Sequence, residues 1–166
     1  HGRTRSAQYS GDADWNYLES VNRNSPLPII GNGDVVDAPT AVKYLAQGFS
    51  GIMIGRGALK NPWIFFEAMQ RLSNCDNPKN EFDYGPIFKR LDELYAQGGD
   101  DRNWIINMRK LAAWFSHGFS NSASFRKDLF TLNTIESIRT LIVQFFEDKK
   151  SSQKLTHSHS LSSGHG

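Results

Sequence analysis

Between residues 1 and 72 short apolar runs alternate with glycine turns and helix-like stripes. Trp15, Leu18 and Val21 fall at helical spacing, which predicts a helix over about 14–21. Pro28-Ile29-Ile30 is a β-branched run that stops at Gly31-Asn32-Gly33-Asp34. Ala41, Val42, Tyr44 and Leu45 then share one helical face, behind Asp37 as N-cap and ahead of Gly48 as the stop. A second apolar run, Gly51-Ile52-Met53-Ile54, stops at Gly55-Arg56-Gly57. A further helix is predicted from about Pro62 to Leu72, with the proline in its first turn. Strand, turn and helix, taken twice, is the rhythm of a parallel α/β domain.

The texture changes after residue 72. Residues 73–85 are polar and read as a linker. From 86 to 148 the pattern is purely helical, which predicts a small helical bundle. Trp104, Met108, Leu111 and Phe115 recur at i, i+4, i+7 and i+11, widened by Ile105, Ala112 and Phe119, while Lys110 and His117 fall opposite. Ile135, Ile138, Leu141, Ile142 and Phe145 mark the last helix, with Asn133 and Glu136 as its expected capping box. Residues 149–166 are mostly Ser, His, Lys and Gly, with one Gln, one Thr and two leucines, too polar to order themselves.

Two strands and their helices leave sheet edges and faces open. A closed barrel of eight strand–helix units needs about 250 residues, and the chain has 166. The expected fold is therefore α/β plus all-α: the C-terminal portion of a (β/α)8 barrel over 1–72, then the helical domain. A chain that opens at His1, in mid-motif, reads as the later part of a longer protein.

Composition narrows the classes. With 39% apolar residues and 12% aromatic ones, a core is affordable and wholesale disorder is excluded. No run approaches the roughly 18–20 apolar residues of a membrane span, so no membrane partner is expected. Cys75 is alone, which excludes an internal disulfide and a cysteine metal site and points to a reducing, cytoplasmic setting. His157, His159 and His165 lie in the polar tail with no rigid frame, so no metal is expected. Net charge is only +2, yet residues 102–139 hold six basic side chains against two acidic ones. Such an excess attracts phosphates, and it equally describes a solvated helical face.

Chemistry concentrates at the two glycine turns. Each follows a strand and precedes a helix, where backbone N–H groups and the helix dipole favour an anion. Arg56 adds a guanidinium fork. In (β/α) barrels the loops after the last two strands often form a phosphate site. Either turn alone reads as a tight connection; the pair reads as a site for a phosphate or a phosphate-bearing cofactor. His1-Gly2-Arg3-Thr4-Arg5 puts a histidine where a preceding strand would end, the position at which barrel enzymes keep functional groups.

These strings carry a resemblance. HGRTRSAQYSGDADW, PIIGNGDV and GIMIGRGALKNPWIF, followed by MRKLAAWFSHGFSNSASFR, resemble the C-terminal half of the tRNA-dihydrouridine synthase barrel and the start of its helical domain, over about residues 1–146. The resemblance implies FMN at the barrel mouth, NADPH as reductant, and reduction of the C5=C6 bond of a tRNA uridine to 5,6-dihydrouridine. Carried over, Asn32, Gly33 and Asp34 match one flavin-phosphate loop, Gly55 and Arg56 the other, and His1 the histidine beside the flavin ring. Arg3 and Arg5 match the family's HGRTR arginines, with duties between ion pairing within the barrel and RNA contact. tRNA is the implied partner, and with it RNA contacts at Arg109, Lys110, Arg126 and Lys127, because a base drawn from its stack must be repaid by contacts outside the pocket.

No catalytic residue is assigned within the 166 residues. The family's protonating cysteine belongs to the N-terminal half, and Cys75 does not match it. These residues alone are expected to make no dihydrouridine and to bind flavin weakly at most. Two alternatives stand beside this reading: another FMN-dependent barrel oxidoreductase acting on a small substrate, and a non-catalytic RNA-binding piece in which only the helical part folds.

Overall fold

The computed structural model describes residues 1–8, 10–74 and 83–149. They form two compact units, one on either side of residues 75–82. Cys75, most of the expected linker, the tail from residue 150 and its three histidines lie outside the described residues.

The first unit is built on two parallel strands, β1 (Ile30–Asn32) and β2 (Gly51–Met53), in the register Ile30↔Gly51, Gly31↔Ile52 and Asn32↔Met53. Helix α1 (Trp15–Asn24) precedes β1, capped by the Asp14 carboxylate, which accepts from the Tyr17 N–H. Helix α2 (Ala38–Leu45) joins the strands, and the Asp37 carboxylate accepts from the Thr40 N–H as the sequence pattern predicts. The segment after β2 departs from expectation. A short helix, α3 (Arg56–Lys60), leads directly from the second glycine turn, and α4 (Ile64–Leu72) begins two residues after the predicted proline start. The interruption sits at Asn61-Pro62: Asn61 leaves the helical region, and its side chain accepts from the Trp63 N–H and donates to Glu67.

Trp15 organises the core. Its ring stacks on Tyr44, meets Phe49 edge-on, and donates its indole N–H to the Gly33 carbonyl at 2.9 Å. Leu18, Val35, Ala38, Ala41 and Ala68 complete the buried cluster, with Ile52 packed against it. All of this lies on one face of the sheet. The other face carries Ile30 and Met53, which are 68% and 56% exposed. A two-stranded sheet is marginal by itself, and here one apolar face stays open.

The second unit holds α5 (Gly85–Ala96), α6 (Asp101–Phe115), α7 (Ser122–Thr131) and α8 (Ile135–Glu147). Tyr84, Phe88, Phe115, Phe119, Phe125 and Phe146 interlock as its aromatic core. Trp104, Met108 and Ala112 are buried along α6, as their spacing requires. Asp92 of α5 ties three helices: it accepts from Trp104 Nε1 at 2.8 Å and from Arg139 Nε and Nη2, both at 2.9 Å. The expected cap of α8 is corrected. Thr134, not Asn133, accepts from the Ser137 N–H, while Asn133 receives a long contact from Arg109 of α6.

Candidate functional site

The C-terminal ends of β1 and β2 lie side by side, so the turns that follow them face the same space. Together with the N-terminal segment they enclose a cavity of about 180 Å3, lined by His1, Arg3, Gln8, Asn32, Gly33, Asp34, Val35, Val36, Gly55, Arg56 and Gly57. All six residues assigned by sequence to the cofactor are among them. The turns touch: a Cβ at Gly57 would stand 2.5 Å from the Val35 carbonyl oxygen. Gly33 has φ +136°, and a Cβ there would collide with Ala13 at 2.6 Å, so glycine is required by backbone and by packing. At Gly55 a Cβ would meet nothing within 4 Å, leaving open space at the rim.

Asp34 braces the site rather than offering its charge to a ligand. Its carboxylate accepts from Arg3 Nη1 at 2.6 Å and from the Ala13 N–H at 2.8 Å, and it lies 3.6 Å from Arg56 Nη2. The Arg3 side chain is 8% exposed and also donates to the Gly11 carbonyl. Of its two candidate duties, the geometry gives Arg3 the ion pair. Arg5 is exposed. Two guanidinium groups around one carboxylate leave this rim with an excess positive charge. The field of Asp34 reaches Tyr44, whose phenol is raised above its ordinary value by burial first and by that carboxylate second.

His1 stands at the same rim. Its Nδ1 accepts the Arg3 N–H at 2.9 Å, so the neutral imidazole carries its proton on Nε2. Asn32 donates weakly from Nδ2 to Met53 Sδ at 3.4 Å, an exchangeable partner. The donor set is thus a guanidinium, an imidazole N–H, a side-chain amide and turn backbone. It suits an anion carrying an adjoining polar ring, and it fits the phosphate of a flavin nucleotide. Among the described residues no group of His, Cys, Asp and Glu is placed to hold a metal.

The second unit bears a larger groove of about 350 Å3 lined by Ile106, Arg109, Lys110, Ala113, Trp114, His117 and Phe130. It gathers Arg109 and Lys110 from the candidate RNA contacts. The other two stand apart: Arg126 donates to the buried Ser116 hydroxyl at 3.3 Å, and Lys127 is exposed on α7. Sequence reasoning missed Trp114 and Phe130 here, and Val35 and Val36 at the first cavity. For the groove a signal existed, since Ile106, Ala113 and Trp114 are apolar positions off the core stripe of α6.

Polar side chains around one cavity at the carboxyl ends of parallel strands make this an α/β unit with its candidate site where such sheets place their ligands. The comparisons make this specific. A family model described as dihydrouridine synthase matches residues 1–151, and the chain belongs to that family. It is 31% identical over 146 residues to a probable tRNA-dihydrouridine synthase of Mycobacterium tuberculosis, covering 86% of this chain and 38% of that protein. It is 31% identical over 159 residues to one from Rickettsia conorii, covering 93% and 48%. With tRNA-dihydrouridine synthase B of Pasteurella multocida it shares 35% over 133 residues, covering 76% and 39%. The chain spans less than half the length of these curated relatives.

Proposed function

We propose that the chain is the C-terminal part of an FMN-dependent tRNA-dihydrouridine synthase, in which 1–72 completes a (β/α)8 barrel and 86–148 contacts tRNA. The observation that carries this reading is the convergence of both glycine turns, His1 and Arg56 on one cavity. The uncovered sheet face with Ile30 and Met53 supports the barrel, because in a closed barrel that face packs inside.

When bound, FMN supplies the two-electron chemistry, renewed by NADPH, that reduces the C5=C6 bond of a tRNA uridine. The residues of this chain hold and orient. Arg56 and the backbone N–H groups of the two turns would hold the phosphate. Asp34 and Arg3 fix the turn that carries Asn32 and Gly33, and hold Arg56 toward the rim. His1, with its Nδ1 engaged by the Arg3 N–H, would be left with Nε2–H to donate to a bound flavin. No residue here donates the proton to the base.

The test is dihydrouridine formation in an unmodified tRNA transcript with FMN and NADPH. Joined to the segment of the Rickettsia conorii relative that it does not span, the chain is expected to make dihydrouridine, and Arg56→Ala to lower the yield at limiting FMN. The chain alone is expected to make none. A folded, joined protein without product, or turnover by the chain alone, contradicts the reading.

A further inference from the structure

We infer that the groove on the outer face of α6 is a nucleotide site, taking one unpaired RNA nucleotide with its base on Trp114 and Phe130 and its phosphate on Arg109 and Lys110. This rests on the tRNA reading above and deepens it: the second unit grips an unstacked base as well as the phosphate backbone.

The residues lining the groove on α6 recur as a helical stripe from Ile106 to Trp114, the turn after the helix adds His117, and α7 adds Phe130. The lining holds two cations, a histidine and four apolar or aromatic side chains, and not one carboxylate. Ile106 and Phe130 remain 53% and 58% exposed, an apolar surface the helix core does not use. The Trp114 ring stands beside His117, centroids 5.7 Å apart and tilted by 52°, so the wall is aromatic as well as basic. Arg109 is only loosely engaged, its Nη2 reaching Asn133 at 3.4 Å in an exposed contact. The guanidinium can therefore turn to a phosphate oxygen in the groove. The volume lies at the small end of ligand-sized cavities, about 300–1,000 Å3.

The chemistry selects among occupants. Duplex RNA keeps its bases stacked and presents phosphates and 2′-hydroxyls, leaving Trp114 and Phe130 without a partner. A second copy, docked groove to groove, would set Arg109 and Lys110 against the same cations of its partner. An unpaired nucleotide joins a flat π-face to a negative charge and satisfies both halves of the lining.

The experiment measures binding of the 166-residue chain to an unmodified tRNA transcript, a single-stranded oligoribonucleotide and an RNA duplex over a salt series. Phe130→Ala and Trp114→Ala are each expected to weaken tRNA and single-strand binding about tenfold, with the salt slope unchanged. Lys110→Ala is expected to flatten that slope by roughly 0.7–0.9. Trp114→Phe, which keeps the ring, should restore most of the affinity. Phe130 is a surface residue, and an unchanged circular dichroism spectrum certifies its variant as folded. Wild-type affinity in both alanine variants, with Lys110→Ala still weakened, overturns the base site and leaves the tRNA reading standing. Binding of duplex as tightly as single strand also overturns it. So does a Phe130→Ala variant that loses a concentration-dependent dimer while keeping tRNA affinity. Absence of tRNA binding by the wild-type chain overturns the base site and the RNA contacts together.

Discussion

At the scale of residues, Asp34 does most to shape the candidate site. It sits in the left-handed region at φ +51° and collects Arg3, the Ala13 N–H and Arg56. Replacing it with alanine strands the enclosed Arg3 guanidinium with the Gly11 carbonyl alone. Losing one partner of such a pair costs about 3 kcal/mol. Urea unfolding followed by circular dichroism should show that loss, and an unchanged midpoint would contradict the bracing role. Arg56 differs: its pair with Asp34 is longer and its side chain is 35% exposed, so Arg56→Ala should cost less than Asp34→Ala, about 1 kcal/mol, while removing the fork proposed to meet an anion. The sequence motif named both residues but not their division of labour. Glycine turns with arginine and aspartate are compatible with either a ligand or an internal ion pair, and only the distances separate the two.

At the scale of elements, hydrophobic periodicity made α1, α2, α6 and α8 legible, because amphipathic stripes such as Trp104-Met108-Ala112 are the cause of the packing they predict, whereas α3, α5 and α7 were not singled out by one. Caps were less legible. Asn133 and Thr134 are both good N-caps by type; Thr134 takes the position, and Asn133 lies one residue outside it, with its side chain toward Arg109. Thr134→Ala should therefore destabilise by about 1 kcal/mol, and Asn133→Ala by clearly less, in the same unfolding assay. The Asp92 clamp was invisible in sequence, since its partners lie on different helices. Burial pushes the Asp92 carboxyl upward, but hydrogen bonds from Arg139 and Trp104 and the Arg139 charge outweigh it and hold it below the ordinary value. A depressed folded value means the clamp contributes fully above the unfolded carboxylate value of about 3.9 and is lost as pH falls through the folded one. The melting-temperature gap between wild type and Asp92→Asn should be constant from pH 7 to 5 and close below about pH 4. A gap that closes near pH 6 would contradict this.

At the scale of the whole molecule, the two units differ in how completely each buries its core. The four helices from α5 to α8 enclose interlocked aromatics, and Leu129 and Ile138 are wholly buried. The α/β unit keeps one apolar sheet face open and exposes Phe65, Phe66 and Met69 on α4. Amides of β1 and β2 should therefore exchange hydrogen well ahead of those in the centres of α6 and α8, with equal protection as the contrary result. The sequence already implied an unfinished sheet, because strand count and chain length are countable. It did not reveal the groove beside α6, whose lining is assembled from two helices across a turn.

In the proposed function two neighbouring turns grip one phosphoryl group. Titration of the isotope-labelled chain with FMN and, separately, with riboflavin, followed by amide NMR shifts, tests it most directly and registers even weak binding. FMN should move the amides of Gly33, Gly55 and Gly57 together along one saturation curve, riboflavin should leave them nearly still, and Arg56→Ala should erase the difference. Equal shifts from both ligands, or an FMN response at one turn only, would contradict the account.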